Sequence, residues 1–140
     1  PCGVGGSRRL RCQKGAFLCA QPTVNLETVF TKKFSAGLFG GEGFILQKVS
    51  GNGMLFLEVD GDRVEKQLAP GEVLKVDTGN VVAFEDTVSY SIETVKGIKN
   101  IFFGGEGLFL TKLTGPGRVI LQTQNFNEFA GRIISMMPAK

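Results

Sequence analysis

A chain of 140 residues, 42% of them apolar and 21% charged, has the composition of one globular domain and is too apolar to stay disordered. It contains no histidine, which removes the commonest neutral-pH general base and the commonest metal ligand. Its formal charge of +3 comes from the first fourteen residues. Without Arg8, Arg9, Arg11 and Lys14 the remainder holds 12 basic against 13 acidic groups, which excludes a uniformly basic, nucleic-acid-seeking surface.

In chain order, residues 1–15 read as a basic terminal tail, disordered and solvated or foreign to the native fold. The three cysteines, Cys2, Cys12 and Cys19, are odd in number and lack metal-knuckle spacing, which argues against a disulfide framework and a zinc site. Cys2 and Cys12 are read as thiols of the tail, and Cys19, in "AFLCA", as a small buried hydrophobe. No run approaches 18 apolar residues, so no membrane-spanning helix is expected.

Residues 16–140 then form a single β domain. "TVNLETVFT" alternates with Val24, Leu26 and Phe30 on one face. "FILQKV", "GMLFLEV", "RVEKQL", "EVLKV", "VVAFE", "VSYSIETVK", "LFLTKL" and "RVILQT" are further strands, several apolar on both faces as in packed sheets. Gly-rich corners separate them: "SGNGM" and "VDGDR" suit hairpin turns, and Pro70–Gly71 suits a type II turn. The fold class is all-β, a sandwich or barrel of short strands. One helix closes the chain over about 126–137. Phe126, Phe129, Ala130, Ile133, Ile134 and Met137 form its stripe, Asn125 caps it with Glu128 as reciprocal partner, and Pro138 stops it. The stripe is expected to pack on the sandwich or on a neighbouring subunit.

The pentapeptide "FGGEG" occurs at 39–43 and again at 103–107. Aligning 39–59 with 103–123 gives ten identities in 21 positions, and Lys32, Lys48, Lys96 and Lys112 recur at the same step. This marks a duplicated unit, with pseudo-repeats over about 31–60 and 95–124. The glycine runs are read as structural turns: Gly40, Gly41, Glu42 and Gly43, with Gly104, Gly105, Glu106 and Gly107. A phosphate loop would need a helix behind it, and here a strand follows. Glu42 and Glu106 are read as turn-stabilising carboxylates, the alternative being a carboxylate pair at a ligand site. The four lysines are candidate contacts for an anion or partner, the alternative being solubilising edge residues.

"KKFSAGLFGGEGFILQKVSGNGMLFLEVDG", "LAPGEVLKVDTGNVVAF" and "VKGIKNIFFGGEGLFLTKLTGPGRVILQT" together resemble the family named for altered inheritance of mitochondria and its bacterial relatives. The resemblance runs from about Phe17 to Ile134. It implies β-sandwich units like those of the tryptophan RNA-binding attenuation protein, of the double-stranded β-helix kind. It implies three units per chain and a trimeric, ring-like homo-oligomer. Only two units are evident here, so the expectation is a chain lacking the first repeat. The resemblance further implies peripheral membrane or protein partners, and a cytoplasmic location if bacterial or a mitochondrial one if eukaryotic.

The expected function is that of a non-catalytic scaffold which self-assembles through β units and uses no cofactor or metal. The alternative is a binding module for RNA, single-stranded nucleic acid or another anionic ligand. A cupin-like enzyme, suggested by "LAPGEVL", lacks the histidines its metal would need.

Overall fold

Apolar residues set two apart favour extended backbone, because a strand puts every second side chain on one face. The computed structural model describes residues 2–4, 9–32, 43–95 and 108–139. Within these lie twelve strands: β1 (Cys2–Val4), β2 (Leu10–Gln13), β3 (Phe17–Ala20), β4 (Val24–Lys32), β5 (Phe44–Gly51), β6 (Gly53–Leu57), β7 (Arg63–Leu68), β8 (Val73–Asp77), β9 (Val81–Glu85), β10 (Ser89–Val95), β11 (Leu108–Thr114) and β12 (Gly117–Gln122). One helix, α1, covers Phe126–Met136, and short 3-10 turns at Lys14–Ala16 and Thr78–Asn80 lead into β3 and β9.

The strands form a six-stranded sheet in the order β4-β5-β2-β9-β12-β7 and two three-stranded sheets, β1-β6-β3 and β10-β11-β8. All pairings are antiparallel. A small sheet covers each face of the large one. Leu55 of β6 packs with Leu10, Cys12, Val49, Val82, Ala83 and Ile120 on one side. Leu113 of β11 packs with Phe44, Leu46, Val81, Phe84 and Val119 on the other. Burial on both faces accounts for the uniformly apolar "VVAFE": all four residues Val81–Phe84 are fully buried. Val82 is the extra residue opposite the register shift at Ile120/Leu121, so it and Ala83 turn toward the same cluster.

The structure corrects several sequence expectations. The basic tail is not solvated throughout: Leu10 and Cys12 are buried in β2 at the middle of the large sheet. Their period-2 pattern is masked in the sequence by Arg9 and Arg11. Cys19 is exposed rather than buried, because β3 lies at a sheet edge. Val24 and Phe30 do not share a face. Val24 packs against the first cluster and Phe30 against the second, because the β4–β5 register shifts between Thr28 and Phe30 and reverses the alternation.

The "SGNGM" and "VDGDR" corners are not hairpins, since β5 and β7 lie in the large sheet and β6 between them lies in a small one. The first is instead a crossing point. Gly51 sits at φ +100, and a Cβ there would come within 2.2 Å of the Thr23 carbonyl oxygen. At Pro70–Gly71 the type II expectation fits: the Glu72 amide donates to the Ala69 carbonyl at 2.9 Å, with Gly71 at φ 77.

Helix α1 is capped by Asn125, whose side chain accepts from the Asn127 amide at 3.0 Å. Glu128 does not complete a capping box; it pairs with Arg132 one turn on. The apolar stripe does not pack down: Phe126 is 64% and Ile134 67% exposed, and no residue of the helix is buried.

A step of 64 residues runs through the element order. β8, the 3-10 turn at Thr78–Asn80, β9, β10, β11 and β12 follow one another as do β2, the turn at Lys14–Ala16, β3, β4, β5 and β6, and Leu68 ending β7 lies 64 positions after Val4 ending β1. Pairing obeys the same step, so β1-β6-β3 corresponds to β7-β12-β9 and β4-β5-β2 to β10-β11-β8. Each unit is thus two three-stranded sheets. The large sheet arises where β2 of the first unit pairs with β9 of the second.

Candidate functional site

The sequence-predicted residues do not converge. Lys32, at the end of β4, stands opposite Phe44, while Lys48 lies between Glu27 on β4 and Arg11 on β2. Those two positions are four residues, roughly 13 Å, apart along β5. Lys112 lies in a different sheet, between Ser91 and Lys75. Lys96, and the glycine-run residues Gly40, Gly41, Glu42, Gly104, Gly105, Glu106 and Gly107, lie outside the described residues. Gly43 is buried with φ 82 immediately before β5, consistent with a structural turn.

A cleft of about 470 Å³ opens where the two units meet, lined by Gln13, Glu58, Asp60, Gln122 and Asn125 among others. Its polar groups largely hold one another. Gln122 accepts from the Asp60 amide through its side-chain oxygen and donates to the Gly79 carbonyl, both at 2.9 Å. The Asn80 side chain donates to the Gln122 carbonyl at 2.9 Å, and Asp77 accepts from the Gly79 amide at 3.1 Å. Burial pushes the Asp77 carboxyl above its ordinary pKa, with the Glu128 charge adding in the same direction and the Gly79 hydrogen bond opposing both. Among the described residues no group of three His, Cys, Asp or Glu is placed to hold a metal ion. Asn125 was expected only as the cap of the helix, and Gln122 was not singled out in the sequence, where no motif marks it.

The junction between units is the better-built feature. Across it Leu10 faces Glu85, Arg11 faces Phe84 and Cys12 faces Ala83. The Asp86 amide donates to the Arg9 carbonyl at 2.9 Å. The Arg11 guanidinium reaches the Asp86 carboxylate at 2.8 Å and lies 5.5 Å from the centre of the Tyr90 ring. Beneath it both core clusters mix residues of the two units, and Phe30 of the first meets Tyr90 of the second edge-on at 5.4 Å. The chemistry here is strand-to-strand recognition with an apolar underside.

Residues 1–124 match the family described as mitochondrial biogenesis AIM24. The chain belongs to the AIM24 family. It is 27% identical over 134 residues to an uncharacterised protein of Streptococcus pyogenes serotype M6, a match covering 95% of this chain and 53% of that protein. The crystal structure of a Streptococcus pyogenes protein superposes with a TM-score of 0.77 at 23% identity, over 97% of this chain and 58% of that one. The AIM24 chain therefore spans little more than half the length of these relatives, and its helix α1 lies beyond the residues matched to the family. No helix among its described residues is long and apolar enough to cross a membrane.

Proposed function

We propose that this chain is a non-catalytic scaffold module that self-associates through its β units. The supporting observation is the β2–β9 junction, where two copies of one unit join into a continuous sheet and share both cores. A surface able to join units within a chain is chemically suited to join them between chains, because backbone ladders carry little sequence requirement. Sedimentation velocity and light scattering at micromolar concentration test the proposal. The expected result is a discrete species larger than the monomer, and a monodisperse monomer would refute it.

A further inference from the structure

The cleft between the units is built from positions that correspond at the 64-residue step. Gly15 and Gly79 both line it, as do Glu58 and Gln122, one of each pair from either unit. The first turn of α1 closes one side with Asn125, Phe126 and Asn127.

Much of this polar wall is left unengaged. The hydrogen bonds of the cleft hold Gln122, Asn80, Asp77 and the Asn125 side-chain oxygen, and among the described residues none engages the side chains of Gln13, Glu58, Asp60 or Asn127. The Asn125 side-chain nitrogen remains a donor. There is also room in front of the first unit's turn, since a Cβ added at Gly15 would meet nothing within 4 Å. The volume of about 470 Å³ falls within the range of small-molecule sites.

The electrostatics select the class of occupant. Glu58 and Asp60 line the cleft, and Asp77 and Glu128 adjoin it through Gly79 and Asn127, so an anion is repelled. The positive end of the α1 dipole faces the same space through Asn125–Asn127 and opposes a cation. What suits both is a neutral ligand that donates and accepts. Side-chain amides offer a donor and an acceptor together, carboxylates accept, and a hydroxyl answers either. Ile45, half-buried, and Phe126, 64% exposed, add apolar surface against which the C–H face of a sugar ring can lie.

We propose that this cleft binds a neutral carbohydrate, a short saccharide whose hydroxyls meet Gln13, Glu58, Asp60 and Asn127 and whose ring lies against Phe126. Both walls belong to one chain, so the site does not depend on the self-association proposed above.

The test is saturation-transfer NMR on the full chain with the neutral disaccharides maltose, cellobiose, lactose and diacetylchitobiose, which differ in linkage, hydroxyl orientation and acetylation. Spermidine and inorganic phosphate serve as charged probes. Transfer to one or more of the disaccharides is expected. Gly15 adopts no left-handed φ, so Gly15→Leu should place a side chain in the cleft without a clash, abolish the transfer and leave the melting temperature unchanged. Asn127→Ala keeps the backbone amide that Asn125 accepts from and should weaken binding about fivefold. That variant serves if Gly15→Leu unfolds the chain. Transfer to none of the disaccharides would overturn the proposal. So would transfer undiminished in both variants, or transfer to spermidine or phosphate alone.

Discussion

Leu10 and Leu18 invert what the sequence suggests. One sits in a basic, tail-like segment, and the other in an apolar run that reads as core. In the fold Leu10 is 2% exposed within the first core cluster, and Leu18 is 58% exposed on an edge strand. Truncating a buried leucine removes its transfer free energy and leaves a cavity, at a cost of about 2–5 kcal/mol. Leu10 contacts both units across the junction, so little relaxation can fill the gap, and the middle to upper part of that range is expected. A chain of this size loses roughly 3–5 °C in Tm per kcal/mol, so Leu10→Ala should melt about 10–25 °C lower. Leu18→Ala gives up only a partly covered side chain, and a change of about 0.5 kcal/mol or less, roughly 2 °C, is expected. Circular dichroism melts at concentrations dilute enough to hold the monomer check both. Equal shifts, or a larger shift for Leu18→Ala, would refute the placement of β2 inside the large sheet.

Asp77→Asn keeps an oxygen for the Gly79 amide and removes a carboxyl whose folded pKa is raised by burial. Between the unfolded and folded values the folded state binds the proton more tightly, so stability falls as pH rises through that window. The variant should flatten this slope in urea titrations at mildly acidic pH and be no less stable than wild type at neutral pH. Thr78 and Thr111 are buried hydroxyls in series: Thr111 donates to Thr78 at 3.0 Å and Thr78 donates to the Phe109 carbonyl at 2.9 Å. Thr78→Val removes the acceptor of the buried Thr111 hydroxyl together with the bond to Phe109 and should cost about 2–3 kcal/mol, Thr111→Val about 1 kcal/mol, by equilibrium denaturation. Gly79 and Gly15 are counterparts in different surroundings. A Cβ on Gly79 would meet the Asn125 side-chain nitrogen at 1.7 Å, whereas one on Gly15 meets nothing within 4 Å. Gly79→Ala should displace the α1 cap and weaken the helical signal in circular dichroism, while Gly15→Ala should leave it unchanged.

The strands that alternate cleanly or run apolar between glycine corners were legible in the sequence, and β4 to β12 fall on the segments so marked. So did the helix, whose cap residue and stripe are local signals. What failed depended on which strand neighbours which. Nothing local separates "FLCA", at an edge among the described residues, from "VVAF", enclosed on both faces, because burial here follows from strand pairing: β9 pairs on both sides and, among the described residues, β3 on one. The bulge that divides Val24 from Phe30 is likewise a pairing property. β2 was within reach. Carrying the 64-residue alignment upstream sets Leu10 on Leu74, Arg11 on Lys75 and Gly15 on Gly79, which would have drawn the tail into the repeat. Gln122 bridges Asp60 of the first unit and Gly79 of the second, and its counterpart in the first unit is Glu58, so duplication gives no pointer to it.

The division of each unit between two sheets explains why duplication here does not yield two domains. A unit standing alone would be a pair of three-stranded sheets, each with a junction edge unpaired and an apolar face half covered. Joining β2 to β9 removes one pair of such edges and places Cys12, Val82, Ala83 and Ile120 in one cluster and Phe44, Leu46, Phe84 and Val119 in another, so neither core belongs to a single unit. The second unit therefore completes the first, while among the described residues β8 and β3 each pair on one side alone. In an architecture of nearest-neighbour contacts, every added unit moves the open edge along the array, and pairing is complete only when the last edge meets the first or a covering segment.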